Sequence, residues 1–177
     1  MSGYTNEIRF QEYCLSACAN YLIAARDDTV LERNLLLGFH GDGILHKDVF
    51  TSLNSDDSKA YCYSRVADRQ AALYAASGLS TGFSQEMARR LGVVGAHLVE
   101  REDWPCPEVV YEFENDWWFP TSQQIEDLLH KPLTEPLCAD DLACMRRKLR
   151  NLRQTARIVI GDDVYRLENG RLGERIE

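Results

Sequence analysis

Residues 14–41 read CLSACANYLIAARDDTVLERNLLLGFHG, and the architecture turns on this stretch. Ahead of it, Glu7 to Tyr13 alternates loosely, with Ile8 and Phe10 set against Arg9 and Gln11, which predicts a strand delivering the chain to Cys14. Leu15 to Arg26 is rich in Ala and Leu and free of Gly and Pro, so it reads as a mostly buried helix. Thr29 to Leu31 suits a short strand, Arg33-Asn34 a turn, and Leu35 to Phe39 is an apolar run typical of a buried strand. Ser16 therefore stands at a strand-to-helix turn, and His40 ends a buried strand 24 positions later. Gly41 and Gly43 break that strand and permit tight backbone beside the histidine.

Working outward, Asp56-Asp57-Ser58 offers N-cap chemistry for a long helix, Lys59 to Ser77, stopped by Gly78. Ser84 can cap a second helix, Gln85 to Leu91, closed by Gly92, with strands expected at Val93 to Val99 and Val109 to Phe113. Thr121 with Gln124 has the form of a capping box for a helix to His130. Pro132 and Pro136 mark a linker. Beyond it, Asp140 to Thr155 reads as a helix, and Arg157 to Ile160 with Val164 to Leu167 as a hairpin across Gly161-Asp162-Asp163. The domain reading is one α/β unit with a helical insertion over 1–131, and after it a helix-plus-hairpin appendage over 132–177.

The 177 residues, 45% of them hydrophobic, suffice for one ordinary core. A net charge of −8 disfavours nucleic acid and anionic membrane as bulk partners. No apolar run reaches the roughly 18 residues of a membrane helix, and the start Met1-Ser2-Gly3-Tyr4 lacks signal-peptide character. As written the chain is expected to be cytoplasmic, with a periplasmic or secreted location if it derives from a longer precursor. Six cysteines occur, but a chain of this length does not need a disulfide framework, so most are expected reduced; Cys14 and Cys18 read as small buried residues at the turn, with a disulfide between them as the alternative in an oxidising compartment.

A serine hydroxyl becomes nucleophilic when a base takes its proton, and a tight strand-to-helix turn facing an imidazole is the usual arrangement. Ser16 has the turn and His40 the imidazole. Each also has a plainer reading, Ser16 as a helix N-cap and His40 as a polar strand end. Cys14, Cys18, His40 and His46 can be counted as a metal set, but the H-x5-H pair after a buried strand builds no structural knuckle. Trp117, Trp118 and Phe119 suit a core or interface. Arg146, Arg147, Arg150 and Arg153 suit a solvated helix face pairing with Asp140 and Asp141.

Cys14-Leu15-Ser16-Ala17-Cys18, with Gly38-Phe39-His40 at its spacing, resembles the ClpP/crotonase superfamily, and within it an uncharacterised Clp-like serine peptidase branch. The close match covers about 30 residues. Glu114-Asn115-Asp116-Trp117-Trp118-Phe119-Pro120-Thr121 looks similar to the acidic stretch that carries the family's triad aspartate. The resemblance implies a small, mostly parallel sheet flanked by helices. It further implies a catalytic set of Ser16, His40 and Asp116, a peptide or acyl substrate, no cofactor, and homo-oligomers or a partner subunit. Family members reach their serine after several strand-helix units, one giving a Gly-Gly turn for the oxyanion. Here fifteen residues precede Ser16, so the chain reads as N-terminally shortened. The alternative is a non-catalytic protein-interaction module on the same scaffold.

Overall fold

The computed structural model describes residues 8–24, 29–76, 78–79, 82–130 and 132–176. β1 (Ile8–Phe10) and β2 (Tyr13–Leu15) are two pieces of one extended run, broken where Glu12 takes a positive φ of 60°. Their partners β3 (Thr29–Leu31) and β4 (Leu36–Gly38) are interrupted in the same way, with Asn34 at φ 63°. β1 pairs with β3 and β2 with β4, both parallel. Parallel neighbours need a crossover, and α1 (Ala17–Ala24) lies in it. The expected end of this helix, at Arg26, lies outside the described residues. Leu35, Leu36, Leu37 and Phe39 are all buried, as a strand covered on both faces requires.

The end of β4 is stitched to a second set of strands. Phe39 and Trp118 exchange both backbone hydrogen bonds, each at 2.9 Å, which sets β7 (Trp117–Phe119) against the residue before His40. β7 pairs parallel with β8 (Ala156–Ile160), and β8 pairs antiparallel with β9 (Asp163–Glu168), which pairs antiparallel with β10 (Arg171–Arg175). The 132–177 segment thus contributes three strands to the sheet that abuts the His40 strand. Phe39, Phe83 and Trp118 form the aromatic centre of the core, with Phe39 and Phe83 edge-on at 5.2 Å.

The fold is mixed α/β, but its sheets are not mostly parallel. Each parallel pairing is three residues long, whereas β8–β9 and the separate β5–β6 ribbon (Val93–Val99, Glu108–Phe113) are longer and antiparallel. Antiparallel ladders close through local turns, at little cost in chain ordering. Gly161-Asp162 makes the turn between β8 and β9 as expected. Asn169-Gly170, both at positive φ, makes the turn into β10, a strand that the sequence reading does not include.

Several helices also differ from expectation. α2 (Gly43–Leu53) forms directly after His40, capped by Asp42, whose carboxylate accepts from the Leu45 N–H. The helix expected at Lys59 to Ser77 divides into a 3-10 turn at Asp57–Lys59 and α3 (Ser64–Ala76), separated by Tyr63 at φ 64°. α4 (Gly82–Leu91) begins ahead of Ser84, so that serine lies inside the helix. α5 (Ser122–Leu129) has the Thr121–Gln124 capping box in full. α6 (Leu142–Leu149) is shorter than Asp140 to Thr155: Asp141 caps its start, accepting from the Ala143 N–H, and the helix ends with Arg150 as its C-cap. Asp140 accepts from the Ser122 and Leu137 N–H groups, so both acids serve backbone, and neither bonds the arginine face among the described residues.

All six cysteines are paired, as Cys14–Cys18, Cys62–Cys106 and Cys138–Cys144; the first is the pairing left open above, and the other two correct the expectation of reduced thiols. A core large enough to fold without cross-links can still need them at the joints between short elements. Among the described residues no helix is long and apolar enough to cross a membrane.

Candidate active site

Ser16 joins β2 to α1 with φ 58°, a left-handed conformation that non-glycine residues adopt uncommonly. Its backbone is held at both ends: its N–H donates to Gly38 O at 2.9 Å, and its carbonyl accepts from the Asn20 N–H at 3.1 Å. The Cys14–Cys18 bridge closes around it. Gly38 has no room for a side chain, since a Cβ there would lie 2.6 Å from the Phe119 ring and 2.9 Å from Leu15 Cδ2. That close approach brings β2, β4 and β7 together at the level of the serine.

The structure brings Ser16 and His40 together. His40 Nε2 lies 2.5 Å from Ser16 Oγ, on the solvent-facing side of the sheet end. For the hydroxyl to donate, Nε2 must be the bare nitrogen and Nδ1 must carry the proton. The Trp117 ring meets the imidazole in an edge arrangement with centroids 4.8 Å apart. First-turn N–H groups of a helix have no intrahelical acceptor, so the Ala17, Cys18 and Ala19 donors and the positive end of α1 belong to the turn next to the serine.

Asp116 is not brought to His40 by a hydrogen bond. Its carboxylate accepts from the Arg157 N–H at 2.8 Å, and its own N–H donates to Arg157 O at 2.7 Å, so it clamps the start of β7 onto β8. The neighbouring Trp117, not Asp116, reaches the imidazole. Among the described residues no carboxylate bonds His40, which leaves a Ser–His pair without the aspartate expected to orient it.

Two residues outside the sequence-derived site hold the loop after His40. Asn20, only 7% exposed, donates through Nδ2 to Gly41 O at 2.9 Å. Asp42, 5% exposed, accepts from Leu45 N–H through Oδ1, and from the hydroxyls of Tyr74 (3.1 Å) and Ser84 through Oδ2. A polar side chain in the otherwise apolar run Ala17 to Ala24, and an acid between two glycines, are the signals by which a sequence could reveal them. Further along α2, burial holds the His46 imidazole below its ordinary pKa, against an opposing pull from Asp42 and with a smaller lowering from His40. Its ring packs on Tyr63 and Tyr111, and burial pushes the Tyr111 phenol up.

Cys14 and Cys18 are bonded to each other, which removes two members of the Cys/Cys/His/His set, and His46 packs against tyrosines. No protein-family model matches the chain, and comparison with curated proteins and with solved structures found no match.

Proposed function

We propose that the protein is a serine hydrolase of the Clp-like class, working through a Ser16–His40 dyad on a peptide or other acyl substrate. One observation carries this reading: a serine hydroxyl 2.5 Å from an imidazole nitrogen, on a left-handed turn at the head of a helix. A serine serving only as an N-cap needs none of that backbone strain. In the proposed reaction Ser16 Oγ attacks the acyl carbon while His40 takes its proton. The oxyanion gathers charge toward the Ala17 N–H and the α1 terminus. His40 then returns the proton to the departing amine or alkoxide, and water, deprotonated by the same imidazole, releases the acid.

The Ala17 N–H supplies one oxyanion donor. In the ClpP/crotonase superfamily a Gly-Gly turn provides another, and in this proposal a partner subunit supplies the second donor. Homo-oligomerisation is the simplest source. Three disulfides favour an oxidising location, periplasmic or extracellular, over the cytoplasm.

The test is capture by a fluorophosphonate probe, read by intact mass and by peptide mapping. Adduct at Ser16, lost in Ser16→Ala and reduced at least a hundredfold in His40→Ala, is the expected result. Folded protein that gives no Ser16-dependent adduct, alone or at concentrations where it self-associates, overturns the hydrolase reading. It would leave the scaffold as a non-catalytic interaction module.

A further inference from the structure

We propose that Asn20 and Asp42 are the positioning residues of this site, fixing His40 through the backbone that comes after it in place of a carboxylate on its ring. The inference rests on the hydrolase reading of Ser16 and His40.

Three consecutive residues after His40 are each held by side chains from the surrounding helices. The Gly41 carbonyl is bonded by Asn20 from α1, the helix that begins at the nucleophile. The Asp42 carboxylate is bonded by Tyr74 from α3 and Ser84 from α4. The Gly43 N–H donates to Gln70 Oε1 at 2.7 Å, and Gln70 Nε2 in turn donates to the Tyr74 hydroxyl at 2.7 Å. Gly41 itself sits at φ 127°, a region open in practice to glycine, so the loop has a shape that little else could hold. On the other side, Phe39 is locked to Trp118 by two backbone bonds. His40 is thus bounded before and behind by fixed backbone, and its ring leans on Trp117.

The chemistry of these residues argues against a role in packing alone. Asn20 is buried with Oδ1 lacking any donor among the described residues, so a small apolar side chain would cost the fold less. Asp42 is a buried carboxylate satisfied wholly by neutral donors, with no cation bonded to it among the described residues. Both costly groups touch the two residues next to His40 or belong to them. Asn20 also couples the two halves of the site, since its N–H bonds Ser16 and its amide bonds Gly41. A shift of α1 therefore moves Ser16 and the histidine loop together.

The experiment compares wild type, Asn20→Ala and Tyr74→Phe in two measurements: the rate of fluorophosphonate capture at Ser16, and the His40 tautomer by long-range proton–nitrogen NMR, assigned with His40→Ala. Tyr74→Phe keeps the ring in place, removes a donor from Asp42, and serves where Asn20→Ala fails to fold. The expected result is capture slower by about 10- to 100-fold, the size of a displacement near 1 Å. It should be accompanied by a His40 signal changed from a single Nδ1–H tautomer to an averaged one. Wild-type capture rates and an unchanged tautomer in both variants overturn the positioning inference while leaving the hydrolase reading intact. If wild type itself shows no Ser16-dependent capture, the hydrolase reading fails, and with it any catalytic task for Asn20 and Asp42.

Discussion

Replacing Asp116 with Ala distinguishes the Ser16–His40 dyad from the triad that the sequence suggests. An aspartate that orients a catalytic histidine is worth about 10,000-fold in rate, or about 5 kcal/mol of barrier. In this structure the carboxylate instead accepts the Arg157 N–H at the entry of the β7–β8 pair. The Trp117–Ile158, Trp118–Val159 and Phe119–Ile160 register lies beyond it and does not need the side chain. Removing one exposed hydrogen bond of this kind costs about 1 kcal/mol, or about 2–4 °C in melting temperature for a chain of this size. The residual effect on rate comes from a looser Trp117 against His40, and we expect less than a tenfold loss. The assay is the second-order rate of fluorophosphonate capture at Ser16, with thermal unfolding run on the same samples. A loss of 1,000-fold or more with an unchanged melting temperature would refute the assignment of Asp116 to backbone support. It would place its carboxylate on His40 in the reactive conformation.

Burial and cross-linking give two further expected outcomes. His46 has a folded-state pKa below its ordinary 6.5, so its contribution is complete above that pH and is lost as pH falls from 6.5 through the lower folded-state value, where the unfolded chain binds the proton more readily. Melting temperature should therefore drop on going from pH 7 to pH 5, and His46→Phe should flatten that part of the profile; equal slopes in both proteins would count against it. The Cys62–Cys106 bridge, at a sequence separation of 44, closes the longest of the three disulfide loops and is worth about 4 kcal/mol on the chain-entropy account, against about 2 for the other two. Urea denaturation of the Cys62→Ala/Cys106→Ala protein should show a loss of that order, and a loss no larger than that from the Cys138→Ala/Cys144→Ala pair would contradict it.

The legible parts of this fold are those set by local chemistry. The small-residue turn after an extended run marks Ser16, the apolar run Leu35 to Phe39 marks the strand ending at His40, and Thr121 with Gln124 marks α5. The illegible parts depend on partners distant in sequence. Gly41 and Gly43 are legible as strand breakers, but the cap between them works because Tyr74 and Ser84, from two later helices, satisfy the buried Asp42. Asp116 stands in the right kind of acidic stretch, yet Arg157, 41 positions on, takes its carboxylate. Cys62 and Cys106 come within bonding distance only through the placement of the β5–β6 ribbon beside the start of α3. The Asn169-Gly170 turn has the right residue types, but the terminal segment carries few apolar residues to mark the strand beyond it.

The cysteines on either side of Ser16 connect the recognisable motif to the energetics of the site. β2 and β4 touch over only three residues, and short parallel pairing is a weak constraint on the turn at its end. Holding a serine in the left-handed region costs about 1–2 kcal/mol, and nothing in a three-residue ladder forbids the turn from relaxing. The Cys14–Cys18 bridge ties the middle of β2 to the first turn of α1, and a cross-link spanning so few residues contributes about 2 kcal/mol. The two quantities are of the same size. By restricting the unfolded chain, the bridge offsets the strain of the elbow in the overall balance, without drawing on the aromatic core around Phe39, Phe83 and Trp118. Through this bridge the conformation of Ser16 depends on an oxidising environment.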